Sequence, residues 1–194
     1  MTSTPTPDAD TPAPAWDPSQ VKILCVDDEP NVLSALRRMF SLEGCEISTA
    51  DSGAAALEQL AAQNFDVIIS DMQMPSMNGA QLLQQVRQQW PDTMRLLLTG
   101  TADLANAVAA INQGEIYRYI SKPWNDDELL GVVKSAVELA SLAQERERLT
   151  ALTQAQNKAL EDMVETLEEK VQVRTASLRQ AYTASIKAFS GLLG

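Results

Sequence analysis

The chain has 194 residues, 45% of them hydrophobic, and a formal net charge of −11; that is material for one domain of ordinary size with a further segment. The acidic balance argues against a nucleic-acid or anionic-membrane surface, which would need clustered Lys and Arg, and with no His present imidazole catalysis and imidazole metal sites are excluded from this sequence. Two Cys (Cys25 and Cys45), no basic-then-apolar leader and no apolar run of about 18 residues predict a reducing, cytoplasmic setting, two thiols packed as small core residues, and no membrane span.

Residues 1–20 carry five of the nine prolines (Pro5, Pro7, Pro12, Pro14, Pro18) among Thr, Ser, Asp and Ala. Such a segment buries too little apolar area to offset its ordering entropy, so a disordered tail is expected.

From Val21 short β-branched or apolar runs alternate with amphipathic helical stretches. The runs are Lys22–Val26, Glu46–Thr49, Val67–Ser70, Arg95–Leu98 and Tyr117–Ile120; the helical patterns lie at about 31–42, 53–63, 79–89 and 103–113. Gly44 and Gly114 stand where helices end, and Pro91 follows a third helix end. Five strands alternating with helices predict an α/β domain over 21–124 with a doubly wound parallel sheet. Val67-Ile68-Ile69 is apolar without alternation, as a strand covered on both faces should be.

After Pro123 the pattern changes. Asn125 or Asp126 can cap a helix whose first turn holds Asp127 and Glu128. From there to Lys187 there is no proline, and Gly131 is the only glycine. A helix over 125–187, read as the fifth helix of the α/β domain extended into a coil, is several times the typical length of about 11–12 residues, and a helix that long needs a partner. Its second half carries a heptad register, with Asn157, Val164, Val171 and Leu178 at a and Leu160, Leu167, Arg174 and Ala181 at d. An Asn at one a position is a register-fixing device. Leu142, Leu149 and Leu152 fit a register offset by about one residue, so a skip is expected between them. These features predict a parallel, two-stranded homodimeric coiled coil of modest stability; the competing arrangement, a hairpin folded back on the α/β domain, lacks turn residues to make it.

In an open parallel sheet, ligands bind beyond the C-terminal strand ends. There the first strand is followed by Asp27 and Asp28, the third by Asp71, the fourth by Thr99, and the fifth by Lys122 and Pro123. Three carboxylates in one cleft repel, so one protonates or a cation neutralises them. All-oxygen ligands favour a hard cation such as Mg2+. A carboxylate can attack phosphorus to give an acyl phosphate, and a metal ion, an ammonium and a hydroxyl are what a transferring phosphoryl group requires. Each element alone is an ordinary cap or strand residue; five at four strand ends in this order are a specific signal. A phosphatase using Asp71 as nucleophile is disfavoured, because Asp27-Asp28 lacks the Asp-x-Asp spacing.

Residues 21–124 resemble a response-regulator receiver domain of the two-component, chemotaxis-receiver-like type over their whole length. The resemblance rests on Val26-Asp27-Asp28-Glu29-Pro30, on Ser70-Asp71-Met72-Gln73-Met74-Pro75-Ser76-Met77-Asn78-Gly79, on Leu97-Leu98-Thr99-Gly100 and on Tyr119-Ile120-Ser121-Lys122-Pro123. It implies a flavodoxin-like strand order 2-1-3-4-5 and phosphorylation of Asp71 by a histidine kinase. It further implies Mg2+ bound by the side chains of Asp28 and Asp71, by the Gln73 carbonyl and, through water, by Asp27. Lys122 would pair with phosphoryl oxygens, Thr99 would move to bond them, and Tyr119 would rotate inward. Gln73 would govern access of hydrolytic water, and Met72, Met74 and Met77 are expected to be loop packing.

Gly114-Glu115-Ile116-Tyr117-Arg118-Tyr119 with Lys122-Pro123-Trp124 resembles the receiver subgroup that often precedes HD-GYP cyclic-di-GMP phosphodiesterases. Glu168-Glu169-Lys170-Val171-Gln172-Val173-Arg174-Thr175 resembles the linker helices of such proteins, and 188–194 is read as the start of an output domain outside this sequence. Apart from receiver self-phosphorylation and dephosphorylation, no enzyme activity is expected in this chain. The alternative is a stand-alone receiver–coil adaptor acting on a separate partner.

Overall fold

The computed structural model describes residues 16–100 and 116–191, with side chains described as far as Thr183. The expected helix at 103–113, Gly114, Glu115, the first 15 residues of the expected tail and residues 192–194 lie outside the described residues. The elements are β1 (Lys22–Val26), α1 (Pro30–Leu42), β2 (Glu46–Ala50), α2 (Gly53–Ala62), β3 (Val67–Asp71), α3 (Gly79–Gln89), β4 (Met94–Thr99), β5 (Arg118–Ser121) and α4 (Asp126–Gly191). All strands pair in parallel, in the order β2-β1-β3-β4-β5. This is the doubly wound, flavodoxin-like sheet that the sequence and the receiver resemblance predict, followed by a long helix.

Alternation along the inner strands builds two cores. Ile23, Cys25, Val67, Ile69, Leu96 and Leu98 face one side of the sheet and pack with Leu36 and Phe40 of α1 and with Leu129, Val132 and Val133 of α4. Leu24, Val26, Ile68 and Leu97 face the other and meet Ala56 and Leu60 of α2 and Leu82, Leu83 and Val86 of α3. Each inner strand is therefore covered twice, which is why β3 reads as unbroken apolar sequence. Cys25 and Cys45 are both buried and free. Burial pushes the Cys25 thiol up to about 12 and the Cys45 thiol up to about 11, so both pack as apolar groups.

Local chemistry sets the element ends. Ser52 Oγ caps α2 on the Ala55 N–H, and Asn78 with Gln81 forms a capping box on α3. Asn125 Oδ1 accepts the Glu128 N–H at 3.0 Å, which starts α4 at Asp126 as predicted. Gly44 has φ of 91°, the left-handed conformation that lets the chain leave α1 and enter β2.

One boundary differs from the sequence expectation. Residues 18–20, placed in the tail, form a 3-10 turn capped by the Asp17 carboxylate, and Trp16 packs against the α1/α4 core. An indole supplies the apolar area that the proline-rich composition conceals. At the other end α4 runs on to Gly191, through the first residues of the segment read as the start of an output domain.

The described chain divides into two compact units, the first ending at Ala143 and the second beginning at Gln144. In the first unit, Leu129, Val132, Val133 and Ala136 bury one stripe of α4, an i, i+3, i+4, i+7 pattern. The first turns of α4 thus pack in the globular unit, as the last helix of an α/β domain does. In the second unit α4 presents its apolar side chains to solvent; Leu160, Val164, Leu167, Val171 and Leu178 are 53 to 71% exposed. No helix among the described residues is long and apolar enough to cross a membrane.

Candidate phosphoryl-accepting site

The site grows from strand register. β1, β3, β4 and β5 end beside one another: Val26 pairs with Ser70, Asp71 with Leu98, and Thr99 with Ser121. The residues following those ends are therefore brought to one edge. Asp27, Asp28 and Asp71 each offer a carboxylate oxygen, and these oxygens lie within 4.8 Å of one another. Asp27 is fully buried, Asp71 is 6% exposed, and Asp28 faces solvent.

Lys122 reaches into this cluster. Its Nζ donates to Asp27 Oδ2 at 2.7 Å and lies 2.7 Å from Asp71 Oδ1. Burial alone would lower the Lys122 pKa, but hydrogen bonds and charge attraction to Asp27 and Asp71 outweigh it and hold the ammonium above its ordinary value. The remaining carboxylate oxygens are fixed from the backbone. The Glu29 N–H donates to Asp27 Oδ1 at 2.8 Å, and the Gln73 N–H donates to Asp71 Oδ2 at 2.9 Å. Asp71 is thus oriented from both sides, by an ammonium and an amide. One ammonium facing three carboxylates leaves a surplus of negative charge, and the donors are all oxygen. That set fits a hard divalent cation.

Thr99 is fully buried at the end of β4, and its Oγ1 donates to the Gly100 carbonyl at 3.1 Å. Tyr119 is half-buried and packs against the α2/α3 core. Met72 and Met74 are buried in that core and Met77 packs beside them, in keeping with loop packing. The peptide between Lys122 and Pro123 is cis.

Three contributors were not assigned from sequence. The Glu29 and Gln73 amides leave no residue-type signal, because every residue but proline carries one. Gly79 does leave a signal. A Cβ there would collide with the Asp71 carbonyl and come within 2.8 Å of Leu97 Cδ1. The Gly79 N–H also donates to the Met72 carbonyl at 3.0 Å. Glycine lets α3 start against the backbone of Asp71.

The family model of the response regulator receiver domain matches residues 23–134. Among curated proteins, the hydrogenase transcriptional regulatory protein HoxA of Cupriavidus necator is 37% identical over 130 residues, covering 67% of this chain and 27% of its own length. The chain thus spans about a quarter of the curated relatives it matches. Among solved structures, the signal receiver domain of an HD domain-containing protein from Pseudomonas fluorescens superposes with a TM-score of 0.63 at 40% identity, over 68% of this chain and 97% of that one. A structure described as adenylate cyclase from Rhodopirellula baltica gives 0.64 at 33% identity, over 67% and 96%. With the parallel sheet, the acidic cluster and its lysine, these matches place the chain in the response regulator receiver domain family.

Proposed function

We propose that Asp71 accepts a phosphoryl group from a histidine kinase, and that the change at the site is passed to a homodimeric coil formed by α4. The observation that carries the first half is the Lys122 ammonium held 2.7 Å from both Asp27 and Asp71 at the strand ends. A carboxylate oxygen of Asp71 forms the new bond to phosphorus as the bond to the donor breaks. Lys122 stands where negative charge gathers on the phosphoryl oxygens, and the Gln73 N–H keeps the Asp71 carboxylate from turning away. Asp28 and Asp71 would hold Mg2+ by their side chains, with the Gln73 carbonyl as a further ligand and Asp27 acting through water. The ion would supply charge neutralisation for transfer. The Thr99 hydroxyl would turn from the Gly100 carbonyl to the phosphoryl oxygens, with Tyr119 moving inward beside it.

Incubation with acetyl phosphate and Mg2+ should add one phosphoryl group, read by intact-mass spectrometry, and Asp71→Asn should abolish it. An unchanged adduct in that variant removes the assignment.

The second half rests on the exposed apolar heptad positions of α4. A parallel homodimer through 142–185 is expected, and light scattering should report the mass of two chains. A monomer mass at high micromolar concentration, with and without beryllofluoride, would remove it. The coil would pass the signal to an output domain. The receiver of an HD domain-containing protein among the solved relatives favours a cyclic-di-GMP phosphodiesterase of the HD-GYP type, whereas the curated relatives include transcriptional regulatory proteins. In the adaptor alternative, the same coil docks a separate protein. Coding sequence past Gly194 separates these: an HD-type metal motif favours the phosphodiesterase.

A further inference from the structure

The charges of α4 are segregated along its length. Residues 161–169 hold five acidic side chains (Glu161, Asp162, Glu165, Glu168, Glu169) and no basic one, whereas 170–187 hold four basic side chains (Lys170, Arg174, Arg179, Lys187) and no acidic one. The boundary falls inside the heptad segment whose apolar positions are exposed.

A parallel, in-register pair sets each block against its own copy, acid on acid and base on base. It also stacks Arg174 on Arg174 at a d layer and forms no opposite-charge contact between g and following e positions, which are Gln156–Glu161, Met163–Glu168, Lys170–Thr175 and Ser177–Tyr182. Only Asn157, meeting its own copy, favours that alignment. An antiparallel pair centred on Glu169 uses the same seam. It seats Asn157 on Ala181, Leu160 on Leu178, Val164 on Arg174 and Leu167 on Val171 of the second copy. The acidic block of each copy then lies along the basic block of the other, and Arg174 faces Val164 instead of its own counterpart, while the flanking pairs Glu161–Thr175 and Met163–Ser177 carry no like charges. At the very centre Glu168 and Lys170 meet their own counterparts, so the gain comes from the blocks rather than from those two positions.

Resting on the reading that α4 pairs with a second copy, we infer that residues 157–181 carry two alignments of one apolar seam, a parallel one and a charge-complementary antiparallel one centred on Glu169. Opposite-charge blocks favour the antiparallel state at low ionic strength; screening, or any pairing of the receiver domains in parallel, releases the other. The coil is then a two-state element that the receiver can bias, not a passive stalk.

Disulfide trapping in the full chain tests this. Leu160→Cys and Leu178→Cys proteins are oxidised separately and as a mixture, at about 0.05 M and about 1 M salt, where the screening length falls to roughly 3 Å. Peptide mapping identifies the linked positions and sets aside Cys25 and Cys45. The expected result in the mixture is a dominant link between positions 160 and 178 at low salt, falling at least about threefold relative to same-position links at high salt. Only same-position links at low salt, or a 160–178 link that salt leaves unchanged, overturns the two-alignment inference while leaving the homodimer intact. A monomer by light scattering instead removes the homodimer reading itself.

Discussion

The sheet edge at Asp71 and the helix beyond Ala143 come from one chain and are determined in opposite ways. At the sheet edge two carboxylates are each held by two partners: Asp71 by Lys122 and by the Gln73 amide, Asp27 by Lys122 and by the Glu29 amide. Beyond Ala143 the large apolar side chains that are described face solvent. The first region is complete within one copy and suits chemistry, which tolerates little displacement. The second is left open to pairing and suits a signal carried as a change of partner or alignment.

The sharpest break of this contrast pairs two leucine truncations. Leu98→Ala, fully buried in the α1/α4 core, should lower the unfolding free energy by about 3 kcal/mol. Leu167→Ala, half-exposed on α4, should leave receiver unfolding unchanged while weakening self-association about tenfold. Urea titration followed by tryptophan fluorescence reads the first effect and sedimentation equilibrium the second; equal losses of receiver stability would erase the distinction.

Gly79→Ala comes next. Its methyl group meets the Asp71 carbonyl, so α3 must shift, at a cost of about 2 kcal/mol. Because the shift acts on the residue bearing the carboxylate, phosphorylation by acetyl phosphate should slow more than stability falls. A variant with full phosphorylation rate would show that the close approach is not needed.

The smallest effect is the response to alkali. Lys122, Cys25 and Cys45 all have pKa values raised in the folded state. Such groups contribute stability that is intact below their unfolded values, 9.0 for the thiols and 10.5 for the ammonium, and that is lost as pH rises through the folded ones. The denaturation midpoint should fall as pH climbs above 9, the thiols acting first. Cys25→Ala, though less stable overall, should show a shallower fall; an identical slope would discount the buried thiol.

Much of the fold was legible because it depends on periodicity. Strand β1 begins and ends where the apolar run Lys22–Val26 does, and α3 spans the expected 79–89. The site was legible because topology requires that residues following adjacent parallel strands share an edge, so Asp27, Asp71, Thr99 and Lys122 could be gathered without coordinates. Less visible was the turn at 18–20, where one tryptophan outweighs proline-rich composition. The extent of the buried stripe of α4, ending at Ala136, was also hidden, because it and the exposed helix beyond are equally good helix sequence.

The sequence by itself determined the order of elements, the acidic and basic groups at the strand ends, and the charge blocks of α4, since these follow from local pattern and count. Only the tertiary structure decided that Lys122 touches Asp27, 95 residues away, and Asp71 together, that two backbone amides fix the carboxylates, and that Gly79 leaves room for the Asp71 carbonyl. Those contacts join atoms distant along the chain or common to every residue, so no spacing in the sequence can encode them before the sheet is assembled.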